Sequence, residues 1–116
     1  MLRSALLVLL MVVGCGGGQQ VRPVVGRCDN GHPDVCRDLA ARQESGVDGA
    51  PDPARATELY RLAAEGYLAA CQRDDGLACA QLAQLYRNGR GVVHSGSEAA
   101  ELEQRACSLG VMRLCK

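Results

Sequence analysis

Six cysteines at one repeated spacing constrain this chain more than any other feature. Cys28 and Cys36, Cys71 and Cys79, and Cys107 and Cys115 each enclose seven residues. Two residues eight apart in one straight helix lie about 12 Å apart along its axis, whereas the α-carbons of a disulfide approach within about 7 Å. If each pair is bonded, the chain must turn between its members. The enclosed residues suit turns: Gly31, His32 and Pro33 in the first pair, Asp74, Asp75 and Gly76 in the second, Gly110 in the third. Glycine fits the left-handed position that ends a helix, and aspartate caps the start of the next. Each pair therefore reads as a clip across the turn between two helices, contributing roughly 2 to 3 kcal/mol by loop entropy. Zinc is the competing use of such cysteines. No pair has the close spacing of about two to four residues typical of structural zinc sites, and His32 and His94 are scattered, so no metal or cofactor is expected.

Clips of this kind answer a deficit in the rest of the chain. The sequence has no Phe, no Trp and three Tyr, so its core must be built from Ala, Leu and Val, which bury little area per residue. A body this small is marginal without staples. Seven cysteines in so short a chain point to an oxidising compartment. Formal charge is zero, the only lysine is Lys116, and no basic stripe or aromatic row is available for phosphates or bases. Nucleic-acid binding is not expected.

The seventh cysteine has a separate explanation. Met1, Leu2, Arg3 and Ser4 precede nine apolar residues from Ala5 to Val13. A positive start and a short apolar run suit an export signal, since a bilayer span needs about 20 apolar residues. The run closes on Val12, Val13, Gly14 and Cys15, which resembles the lipobox of bacterial lipoproteins, where cleavage precedes a cysteine that carries acyl chains such as palmitate. The competing reading is an ordinary secretory signal with a chance cysteine. Position favours lipidation, because Cys15 follows the apolar run almost directly and a Gly, Gly, Gly, Gln, Gln spacer follows it. The resemblance implies a membrane anchor at Cys15. Gly16, where an Asp would favour inner-membrane retention in such families, implies the outer membrane of the bacterial envelope.

The interval from Cys71 to Cys107 is 36 residues. Within it Cys79, Leu82, Ala83, Leu85 and Tyr86 fall at helical spacing, and Asn88 to Val92 break the helix. Ser97 reads as an N-cap for a second helix whose apolar face holds Ala99, Ala100, Leu102 and Ala106. The Leu-Ala-x-Leu-Tyr run, the Gly-x-Gly-Val loop, the Ala-rich second helix and the cysteine-bounded turn resemble a Sel1-like repeat. The clipped form resembles the Helicobacter cysteine-rich protein family. An earlier unit is more divergent. Leu39 and Ala40 match, but Arg42 and Gln43 stand where Leu85 and Tyr86 stand, and Asp48 replaces the second loop glycine. Cys28 to Cys71 also spans 43 residues. The surplus is about two helical turns, so residues 53–71 form either one lengthened helix or two pieces broken at Gly66.

The resemblance implies an all-α fold, a short solenoid of αα-hairpins in Sel1-like, TPR-like repeats clipped by disulfides. The organisation expected is a lipoprotein signal peptide over 1–14, a flexible tether over 15–27 after lipidated Cys15, and a repeat domain over 28–116. Such solenoids bind proteins or peptides on a concave face, although with one divergent unit, one good unit and a terminal half-unit only a shallow groove is expected. The expected partner is an envelope protein or peptide, with the membrane engaged through the lipid. Some members of the cysteine-rich family are described as beta-lactamases or penicillin binders. The Ser-x-x-Lys motif of the serine enzymes is missing here, because Arg113 lies three residues before Lys116. A non-enzymatic scaffold is therefore the expectation, with a beta-lactamase-like hydrolase and a purely structural lipoprotein as rivals. Gly89 and Gly91 end a helix and so do not make a phosphate loop. Tyr60, Tyr67 and Tyr86 are expected to pack with their hydroxyls in water, and Arg87 and Arg90 to be solvated helix-end charges.

Overall fold

The computed structural model describes Cys28 and residues 31–116. Four helices follow one another, α1 (Pro33–Ser45), α2 (Pro53–Gln72), α3 (Gly76–Asn88) and α4 (Gly96–Ser108), and a short 3-10 turn covers Met112–Leu114. Among the described residues there is no strand. Helix α1 packs on α2, α2 on α3, α3 on α4, and α4 on the 3-10 turn. This is the expected run of helical hairpins. Cys15, the segment 1–14 and the tether 15–27 lie outside the described residues.

Local chemistry sets the helix boundaries. Pro33 and Pro53 occupy the first turns of α1 and α2, where a missing N–H costs nothing. Asp52, Asp75 and Ser95 cap α2, α3 and α4 by accepting the backbone N–H of Arg55, Ala78 and Glu98. The cap of α4 is thus Ser95, not Ser97. The helix already begins at Gly96, and Ser97 lies inside its first turn with its hydroxyl 3.3 Å from that of Ser95. Ala99 and Ala106 are buried on the inner face of α4 and Leu102 is half-buried, but Ala100 is exposed. One residue of offset rotates a side chain by about 100°, which carries Ala100 off the face that Ala99 starts.

The two hairpins are copies displaced by a constant interval. Helices α1 and α3 have 13 residues each, but α2 has 20 against 13 in α4. The surplus seen in the cysteine spacing therefore sits wholly in α2. That helix runs unbroken through Gly66, which is buried, so the lengthened-helix alternative is correct.

The core is small and made of small groups. Cys36, Ala40, Leu59, Ala63, Cys79 and Ala106 are almost fully enclosed, and Tyr60 and Tyr67 supply its aromatic area. The cysteines of each pair are brought to disulfide distance, with α-carbons 4.6, 4.7 and 4.9 Å apart in chain order. The turn between Cys71 and Cys79 departs in detail from expectation. Asp74, not Gly76, takes the left-handed conformation, at φ 69°. Gly76 is closely packed instead, since a β-carbon there would stand 3.0 Å from Leu109 Cβ and 3.1 Å from Val111 Cγ2. Arg105 of α4 secures the turn from the other side, donating to the Cys71 carbonyl at 3.3 Å and to Asp74 at 2.8 Å.

The divergence of the first unit has a structural counterpart. In the second unit, Leu85 is buried and Gly91 lies against α2. At the matching positions of the first unit stand Arg42 and Asp48, both exposed and joined by two hydrogen bonds of 2.8 and 2.7 Å. Among the described residues no helix precedes α1. The positions that bury apolar groups in the second unit carry instead an exposed charged pair that satisfies itself by hydrogen bonding.

Candidate functional site

A shallow cleft of about 440 Å³ opens between α1 and α3, the first helices of the two hairpins. Its floor includes the ring of Tyr60 from α2, and Arg37 and Ala41 of α1 form one wall. The opposite wall is α3, where Gln81, Gln84 and Asn88 recur at the three- and four-residue steps that align side chains along one face. Leu82 on the same helix turns inward to the core, and the buried Leu85 lies at the base of the cleft. Arg90 from the loop after α3 and Arg113 from the 3-10 turn complete the rim.

The electrostatics of the cleft are set by these arginines and by a carboxylate beside it. Arg90 lies over the Tyr60 ring, 5.5 Å from its centroid, and pairs with Glu44 at 3.2 Å. The Tyr60 hydroxyl donates to the same Glu44 carboxylate at 3.2 Å. Burial raises the Tyr60 pKa above its ordinary value, partly opposed by the nearby Arg90 charge. Arg37 pairs with Asp38 at 3.1 Å and Asp34 at 3.8 Å. Gln81, Gln84 and Asn88 make no side-chain hydrogen bond within the described residues, and Arg113 makes no ion pair there.

Several residues singled out in the sequence have other roles. Tyr67, like Tyr60, does not leave its hydroxyl to water; it donates to Asp34 at 2.5 Å, tying α2 to α1. Burial, then the Asp34 hydrogen bond, pushes the Tyr67 pKa well up. Arg87 is not a free helix-end charge, because it grips Glu103 of α4 through bonds of 2.8 and 3.2 Å. Arg90 is likewise held, by Glu44. His32 stands at the N-cap position of α1 with no side-chain capping bond, and His94 lies in the loop before α4. Among the described residues no three His, Cys, Asp or Glu gather as a metal site. Lys116 and Ser108 line a second, open cleft of about 800 Å³ along α4, where the Ser108 hydroxyl donates to the Gln104 carbonyl at 3.1 Å. No helix among the described residues is long and apolar enough to cross a membrane.

The amide stripe was not singled out in the sequence, although its spacing on the face of α3 opposite to the buried residues was a readable signal. Arg113 had no such signal, because only the turn after Gly110 carries it back to the cleft.

Antiparallel hairpins repeated at a fixed interval, with a shallow polar cleft on their first helices, define a small helical-repeat protein. Residues 33–68 and 76–111 match the Sel1 repeat, more than half of the sequence, and the chain belongs to the Sel1 repeat family. The divergent first unit is thus a full repeat, and the stretch between the matches holds the last four residues of α2 and the turn that follows it. Sel1 repeats commonly mediate protein–protein binding. No curated protein and no solved structure matches this chain.

Proposed function

We propose that this protein is a lipid-anchored, non-enzymatic scaffold of the bacterial envelope, related to the disulfide-clipped cysteine-rich branch of the family, that holds a protein or peptide segment in the cleft between α1 and α3. One observation carries the reading. Gln81, Gln84 and Asn88 present side-chain amides along one helix face with no partner among the described residues. Each amide offers two donors and an acceptor, the complement of a peptide backbone whose own N–H and C=O groups need partners. A typical hydrogen bond nets only about 0.5 to 1.5 kcal/mol. Three of them position a ligand and leave much of the affinity to flanking contacts.

The anchor would come from Cys15. Each buried methylene contributes roughly 0.8 kcal/mol, so several acyl chains hold a protein at a membrane surface. The cleft would then meet its partner in the oxidising envelope, where the three cysteine pairs can remain bonded.

Two measurements on protein from its own membranes test this. Intact and peptide mass spectrometry without reduction should find an acylated N-terminal Cys15 and linkages of Cys28 with Cys36, Cys71 with Cys79 and Cys107 with Cys115. A photo-crosslinking residue at Gln84 should give one dominant envelope adduct that the same residue at Arg55, away from the cleft, does not. Unmodified Cys15 would remove the anchor, and identical adducts from both positions would remove the cleft as the binding face.

A further inference from the structure

The protein has equal numbers of acidic and basic residues, and among the described residues only Arg55, Arg73 and Arg113 of its arginines lack an ion pair. Arg37, Arg42, Arg61, Arg87, Arg90 and Arg105 all sit in ion pairs within the fold. Arg113 is exposed, has no ion pair among the described residues, and projects from a 3-10 turn held by the Val111 carbonyl to the Leu114 N–H, 3.0 Å, and by the Met112 carbonyl to the Cys115 N–H, 3.0 Å. It lines the cleft that Arg37 and Arg90 also line, and no carboxylate is among the lining residues. Asp34, Asp38 and Glu44 share the charge of Arg37 and Arg90, which leaves Arg113 as the unneutralised cation of the cleft.

From this juxtaposition we infer that the cleft selects an extended segment carrying an internal Asp or Glu, whose carboxylate is received by Arg113 beside Arg37. The inference rests on the cleft being the binding face. A guanidinium presents a planar fork of donors that matches a carboxylate with two parallel bonds. The fixed turn reduces the ordering that Arg113 must undergo on binding. From Gln81 to Asn88 the amide stripe runs about 10 Å along α3, which equals roughly three residues of extended chain. Amides along that length hold the backbone, and the arginine end reads the side chain. Exposed charges are screened at high salt, so the preference is strongest at low ionic strength.

The test is fluorescence anisotropy on the full, oxidised protein in detergent. The probes are a short Gly-Ser peptide, blocked at both ends, with a central Asp-Glu pair, and its Asn-Gln counterpart. At low salt the acidic peptide should bind about two- to fivefold tighter, the factor that an exposed ion pair of about 0.4 to 1 kcal/mol confers. Arg113→Gln should abolish that preference, bringing the acidic peptide to the affinity of the Asn-Gln peptide, and Arg55→Gln, an exposed arginine away from the cleft, should leave the preference intact. Equal binding of both peptides, with Gln84→Ala weakening both, would overturn the charge selection and leave the cleft as the binding face. A preference that survives Arg113→Gln would overturn the assignment of the residue. Failure of both peptides to bind would remove the peptide cleft and this inference together.

Discussion

The contact that joins the two repeats is best tested at Gly91. Its φ is +74°, and a β-carbon placed on it would stand 2.5 Å from the Arg61 nitrogen and the Tyr60 carbonyl carbon, and 2.7 Å from Tyr60 Cβ. Those are backbone and root atoms of α2, which cannot swing aside. Gly91→Ala therefore carries two penalties, about 1 to 2 kcal/mol for an L-residue in left-handed backbone and about 1 to 3 kcal/mol for overpacking. Gly89, two residues earlier, isolates the first. Its φ is +65°, but its added β-carbon would meet only His94, no closer than 3.3 Å, so Gly89→Ala should cost little beyond the backbone penalty. For a domain of this size each kcal/mol lowers the melting temperature by about 4 to 8 °C. Thermal melts followed by circular dichroism, on oxidised protein, should rank wild type, Gly89→Ala and Gly91→Ala in descending order, the last gap being roughly 4 to 24 °C on those figures. Equal melting of the two variants would mean that the loop of the second repeat does not seat on α2 as described.

Three further outcomes are expected. Replacing Cys71 and Cys79 together by Ser should destabilise more than replacing Cys107 and Cys115, since all three pairs close loops of equal length but only the Cys71–Cys79 pair is buried on both sides; urea midpoints under oxidising conditions measure this, and equal losses would leave loop entropy as the whole effect. Tyr60 and Tyr67 have raised pKa values, so the folded state resists their ionisation, and the stability they contribute is full below the ordinary tyrosine range of about 10 and is lost as pH rises above it. Tyrosinate absorbance should show late titration in the folded protein, and Tyr67→Phe should remove the latest component. The Arg42 hydrogen bond holds the Asp48 carboxyl below its usual range, so its contribution is present above the ordinary carboxylate pKa and fades as pH falls through the lowered value. In a carbon-13 NMR titration Arg42→Gln should return Asp48 to the ordinary range.

Periodicity and spacing by themselves determined the helical class, the turns between paired cysteines, an aspartate cap after the Cys71 turn, and the length surplus between Cys28 and Cys71. These are local properties: a turn enclosing seven residues, or an apolar residue every three or four, constrains backbone within a few residues of itself. Tertiary structure decided what depends on neighbours far along the chain. Whether Gly66 interrupts α2 depended on α2 being packed between α1 and α3, which favours one continuous helix over the modest helical cost of a glycine. The close packing at Gly76 comes from Leu109 and Val111, more than thirty positions away, and the hydroxyls of Tyr60 and Tyr67 found Glu44 and Asp34 only once α1 lay against α2. The first repeat's Arg42 and Asp48 looked like departures from a pattern, and the structure shows them exposed and bonded to each other. The cleft follows the same rule. Its amides lie on a helix face that spacing alone could have marked, but Arg113 joins them through the packing of the 3-10 turn on α4, and no local pattern carries that information.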